Sequence, residues 1–360
     1  MKIMTVGIDL AKNVFQVHGV NEHGKTVLRK QLKRDQVATF FAIMPQRLIG
    51  MEACGSAHHW ARKLRSLGHD VRLMAPQFVK PYVKTNKNDV ADAEAICEAV
   101  GRPNMRFVPI KDIEQQAVLS LHRVRQGFVK ARTAQANQIR GLLAEFGLII
   151  PQGIAHIAKR VPEFIEDERN ELPSSFRLLV QRLLEQLKGF DHQVHEIENQ
   201  IVAWHRANEN SRKLAKMPGI GPITASAMVA SLCDAKSFKN GRQVRAWLGL
   251  GLGLGLVPKQ NSTGGKTVLL GMSKRGDSYL RTLLIQGARS MIFAAQRKEI
   301  SGSWLGRRLK RHNANVAAVT LANKNARIIW ALLAGDREFR SDYTTVVAES
   351  KRLEDVNVTL

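Results

Sequence analysis

The chain has 360 residues, 44% of them hydrophobic, so it has room for two or three domains and enough apolar surface to build cores; a disordered chain is excluded. Lys and Arg number 55 against 31 Asp and Glu, a formal net charge of +24. That charge implies a polyanionic partner, and nucleic acid is expected over a membrane surface because no basic amphipathic helix or lipidation signal stands out.

Cys54, Cys97 and Cys233 are widely spaced and form neither a metal motif nor a disulfide framework, which fits a reducing cytoplasm. Met1-Lys2 leads directly into a strand pattern, so no signal peptide is expected. No apolar stretch reaches membrane-spanning length, and the Leu-Gly alternation at 248–256 is too short and too glycine-rich.

Residues 3–10, 14–20 and 26–31 read as three strands separated by turn-like segments, an antiparallel meander. A helix is predicted at 36–44, a strand at 47–52, a helix at 58–67, a strand at 71–74 and a helix at 90–100. Three antiparallel strands followed by alternating helix and strand is the order of the ribonuclease H fold. Residues 112–148 read as one long helix with an apolar stripe of Ile113, Val118, Leu121, Val124, Phe128, Ile139, Leu142 and Phe146. A second covers 175–207, where Phe176, Val180, Leu183, Leu187, Phe190, Val194, Ile197, Ile201 and Trp204 alternate steps of four and three, a coiled-coil stripe. The two pair with each other or with another subunit. The segment 149–174, with Pro151, Pro162 and Pro173, reads as a joint. Residues 211–336 form a mostly helical block, and 337–360 a loose tail. The expected domains are therefore 1–110 (α/β), 111–210 (long helices), 211–336 (helical) and the tail.

Four carboxylates stand out. Asp9 lies near the end of the first strand and Glu52 at the end of the fourth. Asp89 and Asp92, in Lys-Asn-Asp-Val-Ala-Asp-Ala, lie three apart on one helix face. Grouped acids repel unless a cation neutralises them, so in a basic chain they suggest a divalent metal held against nucleic-acid phosphate. Helix capping is the structural alternative for Asp89. Gly-Ile-Asp also opens the phosphate loop of actin-like ATPases, but no second glycine-rich phosphate loop follows.

Met217-Pro-Gly-Ile-Gly-Pro resembles a helix-hairpin-helix turn, in which Gly219 and Gly221 would let the backbone approach a phosphate; the alternative is a tight turn without ligand. Residues 258–266 read as a polar, glycine-rich loop with a lysine near each end, and Ser273-Lys-Arg-Gly-Asp follows. Lys266, Lys274 and Arg275 are candidate phosphate contacts, and Ser262 is either a nucleophile or a group that bonds phosphate or caps a turn. The His58-His59 pair reads as a surface pair at a helix start. Trp60, Trp204, Trp247, Trp304 and Trp330 read as core.

With these residues in view the chain resembles bacterial insertion-sequence transposases of the DEDD class, a family that includes Piv invertase and the bridge-RNA-guided recombinases. The likeness runs over about residues 3–336. It rests on the three acidic segments, on Met-Pro-Gly-Ile-Gly-Pro-Ile-Thr-Ala, Phe-Lys-Asn-Gly-Arg-Gln and Val-Pro-Lys-Gln-Asn-Ser-Thr-Gly-Gly-Lys, and on Ser-Lys-Arg-Gly-Asp-Ser-Tyr-Leu-Arg. It implies a RuvC-like N-terminal domain, a coiled-coil middle and a helical transposase domain. It further implies Mg²⁺ on Asp9, Glu52, Asp89 and Asp92 and a serine nucleophile. Ser262 matches, with Thr263 adjacent and Ser273 a weaker candidate. Donor and target DNA, a noncoding bridge RNA and a homodimer or homotetramer are the implied partners. The family runs Trp-Leu-Gly-Leu directly into Val-Pro, whereas here residues 251–256 add three Gly-Leu units, which either bulge out harmlessly or disable the chain. A metal-only nuclease such as a RuvC-like junction resolvase is the rival reading, and a non-enzymatic RNA-binding or architectural protein a second.

Overall fold

A computed structural model describes residues 2–84, 86, 88–248, 258–272, 276–297 and 304–340. The chain forms two compact units, Met1–Gln116 and Ala117–Leu360.

The first unit is a mixed sheet with helices on both faces. Strands β1 (Thr5–Leu10), β2 (Val14–Val20) and β3 (Thr26–Lys33) form the predicted meander. Asn21 shapes the second turn, its Oδ1 accepting the His23 and Lys25 amides at 3.0 and 2.9 Å. Helix α1 (Gln36–Ala42), β4 (Leu48–Glu52), α2 (Ala57–Ser66), β5 (Asp70–Met74), α3 (Pro76–Val79), α4 (Asp89–Val100) and β6 (Phe107–Val108) follow. The strand order is β3-β2-β1-β4-β5-β6; β4 runs parallel to β1 and to β5, and β6 is antiparallel to β5. The two-residue β6 is too short to carry a periodic signal, and sequence reading missed it. Alternation splits the core. Val6, Ile8, Phe15, Val17, Ile49 and Met51 bury one face with residues of α1 and α2, and Met74, Val79, Ile96 and Val100 pack on the other, α4, side.

The second unit opens with α5 (Ile113–Ala144), whose first turn lies in the first unit, then α6 (Ile154–Glu166) and α7 (Ser174–Ala207). Arg125 bonds Glu198 at 2.5 Å and Arg132 bonds Asp191 at 2.5 Å, while Ile139 and Leu184 share one cluster. Each step forward on α5 is matched by a step back on α7, so the two helices are antiparallel neighbours within one chain. The predicted joint is not free of structure. It holds α6, which buries Ile157 and Val161 despite Pro162 in its interior. The predicted apolar stripes also need correction. On α5, Ile113 is 73% exposed and Val124 45%, whereas His122, Gln135, Ala136 and Leu143 are buried. On α7, Leu184 and His205 take the buried places expected for Leu183 and Trp204. Of the five tryptophans, Trp60 is buried but Trp247 is 36% exposed.

Helices α8 (Glu209–Ala215), α9 (Pro222–Leu232) and α10 (Gly241–Trp247) precede a hairpin of β7 (Pro258–Thr263) and β8 (Lys266–Met272). The predicted loop at 258–266 is thus a strand, a two-residue turn and the start of a second strand. Gly264 and Gly265, at φ +55 and +78, supply the positive angles of a mirror-image turn. Helices α11 (Ser278–Arg297), α12 (Trp304–Arg311) and α13 (Ala314–Ala334) complete the unit. Helix α12 is a short basic amphipathic helix that did not stand out in the sequence: it buries Leu305 and exposes Arg307, Lys310 and Arg311. No described helix is long and apolar enough to cross a membrane. The inserted 251–256 and the tail beyond 340 lie outside the described residues.

A buried polar relay ties α5 to α9 and α11. The Ser226 hydroxyl donates to the Pro222 carbonyl at 2.7 Å, so its oxygen accepts from His122 Nε2 at 3.0 Å. His122 Nδ1 is then an acceptor and takes the Tyr279 hydroxyl proton at 2.9 Å. Both bonds need a neutral imidazole, and burial, with Arg125 and Arg123 adding to it, lowers the His122 pKa to about 4. The unfolded chain binds this proton near pH 6.5, so the neutral relay stabilises fully above that value and is lost as pH falls toward 4. Between those limits each pH unit costs about 1.4 kcal/mol. Denaturant unfolding at a series of pH values should show this slope in the difference between the wild type and His122→Gln, whose amide does not titrate.

Candidate active site

Asp9 and Glu52 are brought together by strand pairing. Strands β1 and β4 are parallel with Gly7 opposite Gly50 and Ile8 opposite Met51. Ile8 and Met51 point into the core, so alternation sends Asp9 and Glu52 to the opposite face, the face of Gly7 and Gly50. Helix α4 lies on that face. A Cβ at Gly7 would overlap the Ala93 carbonyl and the Cys97 amide, and one at Gly50 would lie 2.7 Å from Val100 Cβ. The repeated Gly-x-acid pattern, Gly7-Ile8-Asp9 and Gly50-Met51-Glu52, is the local signal of this arrangement, and sequence reasoning did not use it.

Helix α4 runs against the direction of β1. Cys97 Sγ reaches the Thr5 carbonyl at 3.6 Å, and Ala93 and Cys97 flank Gly7. Continuing along the helix puts its first turn, with Asp89 and Asp92, toward the Asp9 end of the strand. The cap of that turn is Asn88, whose Oδ1 accepts the Ala91 amide at 2.8 Å. Asp89 is therefore not needed as the cap. Lys84 pairs with Glu98 at 2.9 Å and lies 3.9 Å from Glu94 farther along the helix.

Asp9 and Glu52 are half-buried, Asp92 is half-buried and Asp89 is exposed. Cys54, two residues after Glu52, feels the charges of Asp9 and Glu52 together. Burial, then the negative charges of Glu52 and of Asp9, push its thiol pKa up. The donor set is all carboxylate oxygen, the chemistry that suits a hard divalent cation. Asp9 and Glu52 stand on one sheet face as two such donors. The helix pair does not close the ring, since among the described residues no three His, Cys, Asp or Glu come near enough to hold a metal ion together. Of the pair expected at the surface, His59 is exposed but His58 is half-buried. The His58 ring bonds the Lys111 amide at 3.2 Å and faces Lys111 Nζ at 3.0 Å, and burial with Lys111 and Arg62 lowers its pKa to about 4.

In the second unit Ser262 lies on β7 opposite Thr267, one pair from the hairpin tip, where Thr263 pairs with an exposed Lys266. Gly219, at φ +81, makes the turn between α8 and α9, and its close neighbour is Gly287 of α11, whose Cβ would overlap the Gly219 carbonyl. Helix packing is thus a sufficient reason for that glycine. Gly221 precedes α9 with open space around it. Ser273, Lys274 and Arg275 lie outside the described residues.

Residues 211–304 match the Transposase IS116/IS110/IS902 family, and residues 6–147 match a transposase domain of the IS110 DEDD type. The chain belongs to this transposase family. It is 52% identical over 342 residues to a protein of Pseudomonas aeruginosa described as a probable family 20 transposase, covering 94% of this chain and 99% of the relative. It is 43% identical to the transposase for insertion sequence element IS1328 of Yersinia enterocolitica, over 92% of this chain and 96% of the relative. With the transposase for insertion sequence element IS1111A of Coxiella burnetii the identity is 42%, over 94% and 92%. The chain is therefore a DNA transposase, and its DEDD-type domain points to use of a divalent metal.

Cys54 is an exposed reporter for the acid pair of the transposase. Replacing Glu52 with Gln removes one of the charges that hold its thiol up, so alkylation by iodoacetamide near neutral pH should become several-fold faster. A divalent cation that neutralises the pair should speed the wild-type reaction in the same direction. Mass spectrometry of the Cys54 peptide measures both.

Proposed function

We propose that the transposase cuts and rejoins DNA with Asp9, Glu52, Asp89 and Asp92 as Mg²⁺ ligands and Ser262 as nucleophile. The observation that carries this reading is the common sheet face of Asp9 and Glu52, with the first turn of α4 directed to the same end. The strand order and directions of the first unit support a ribonuclease H/RuvC-like fold, whose first and fourth strands carry acids. Mg²⁺ bound there supplies positive charge to the scissile phosphate and offsets the repulsion among the carboxylates.

The remaining chemistry belongs to the chain. Ser262 Oγ attacks phosphorus, a serine O–P bond forms, and the bond from phosphorus to one deoxyribose oxygen breaks. That oxygen leaves as a hydroxyl, taking up a proton from solvent, and the serine proton passes to solvent. One ester replaces another, so rejoining needs no outside energy source. Lys266, Lys274 and Arg275 hold phosphate oxygens near the serine, and the start of α9 at Gly221 offers backbone N–H groups to a neighbouring phosphate.

The +24 charge of the chain supports a second nucleic acid in the complex. In this reading a noncoding bridge RNA pairs with donor and target DNA, while the protein reads backbone and duplex shape. Assembly as a homodimer or homotetramer lets the serine of one subunit work at the acids of another.

Asp9→Asn should lower strand cleavage by about 100-fold or more, the loss expected when several kcal/mol of charge stabilisation disappear. Ser262→Ala should abolish the covalent protein–DNA adduct seen on denaturing gels. If that variant still cleaves as well as the wild type, the serine is not the nucleophile and the metal-only nuclease takes its place.

A further inference from the structure

The segment Phe238-Lys-Asn-Gly-Arg-Gln has no part in the chemistry above. It opens α10, where Asn240 Oδ1 accepts the Arg242 and Gln243 amides at 3.0 and 3.1 Å. Gly241 seats this helix start on α13: a Cβ there would lie 3.0 Å from both the Cα and the carbonyl oxygen of Arg327. Arg242 follows directly, and Arg245 lies one turn farther along α10. Arg245 is 3% exposed, and its Nε has no hydrogen-bond partner. Burial, then the charges of Arg327 and Arg242, lower its pKa. Lys324, one turn before Arg327, is half-buried with Nζ 4.6 Å from the Trp304 ring centroid, and burial with Arg327 lowers its pKa too.

Among the described residues no ion pair engages Arg242, Arg245, Lys324 or Arg327. The sequence around α11 to α13 explains why: residues 278–334 hold ten Lys or Arg and a single acid, Glu299. A guanidinium taken out of water with only like charges beside it is strongly destabilising unless an anion joins it. The cluster continues onto α12, where Arg308 lies 5.9 Å from the same Trp304 ring.

We propose that Arg242, Arg245, Lys324 and Arg327 form a phosphate site for the backbone of a nucleic-acid strand, made by α10 and α13. Guanidinium groups grip the two free oxygens of a phosphodiester in a forked geometry, and the contact is independent of sequence. The ligand class rests on the transposase reading; the site itself does not depend on Ser262 or on the acids. DNA and RNA carry the same phosphodiester, so the test has an arm for each.

Arg242 and Arg327 are exposed, so the double variant Arg242→Gln, Arg327→Gln keeps the fold. Fluorescence anisotropy of the full chain with a duplex DNA of unrelated sequence, and separately with a single-stranded RNA, is measured over a salt series. Two lost phosphate contacts should reduce the slope of log affinity against log salt by about 1.4 to 1.8, the value depending on strand type, and weaken binding to all sequences alike. A loss in either arm supports the site and names the strand; unchanged binding and slope in both arms overturn it. Arg245→Met gives an independent readout. It should raise the melting temperature of the free protein and shrink the increase that nucleic acid induces. A lower melting temperature with an undiminished nucleic-acid effect would show Arg245 to be merely structural and overturn its part. Failure of the serine reading would look different, as an absent adduct in a wild-type protein whose binding is intact.

Discussion

The seating of α4 on β1 and β4 is the contact on which the acid site depends. At Gly7 the strand has no side chain, and the Ala93 carbonyl and Cys97 amide take the space where one would stand. This close approach sets the helix against the face that Asp9 and Glu52 share, so the distance between strand acids and helix acids is governed by a backbone contact. Asp9 and Glu52, like charges on one sheet face, repel each other and oppose folding. The apolar contacts of Ile96, Ala99 and Val100 beneath the helix, and the Asn88 cap at its start, offset that repulsion and keep the helix in place.

The second unit uses a different device. Helices α5, α9 and α11 are joined through a neutral imidazole between two hydroxyls, and the turn before α9 meets α11 glycine to glycine. A polar relay of this kind is directional. The neutral imidazole has one donor and one acceptor nitrogen, so the helices are fixed in rotation as well as in distance. Charge is distributed unequally: the first unit holds the acids of the candidate site, and the charged residues of helices α11, α12 and α13 are all Lys or Arg. The cationic helices suit a transposase, whose DNA substrate is a polyanion.

Period-2 and period-3.6 patterns carried the elements well where one face met the core and the other met water. The meander, β4, β5, α4 and both long helices lie close to where the spacing puts them. The failures have local causes. Residues 154–166 are amphipathic, but three prolines in the surrounding segment masked the helix. On α5 the apolar stripe misled because His122 and Gln135 occupy buried places, and a polar residue gives no burial signal until its partners are known. The loop predicted at 258–266 is a hairpin because Gly264-Gly265 needs strands on either side to act as its turn.

Residue order alone determined that the chain is basic, that two acids end strands and two open a helix, and that a serine precedes paired glycines. These are properties of neighbours along the chain, set by covalent order and short-range periodicity. Tertiary structure decided which of them meet. Parallel pairing of β1 with β4 placed Asp9 beside Glu52, and the packing of α10 on α13 left Arg245 buried among like charges. Such juxtapositions depend on the energy of surfaces far apart in sequence, and no local pattern records them.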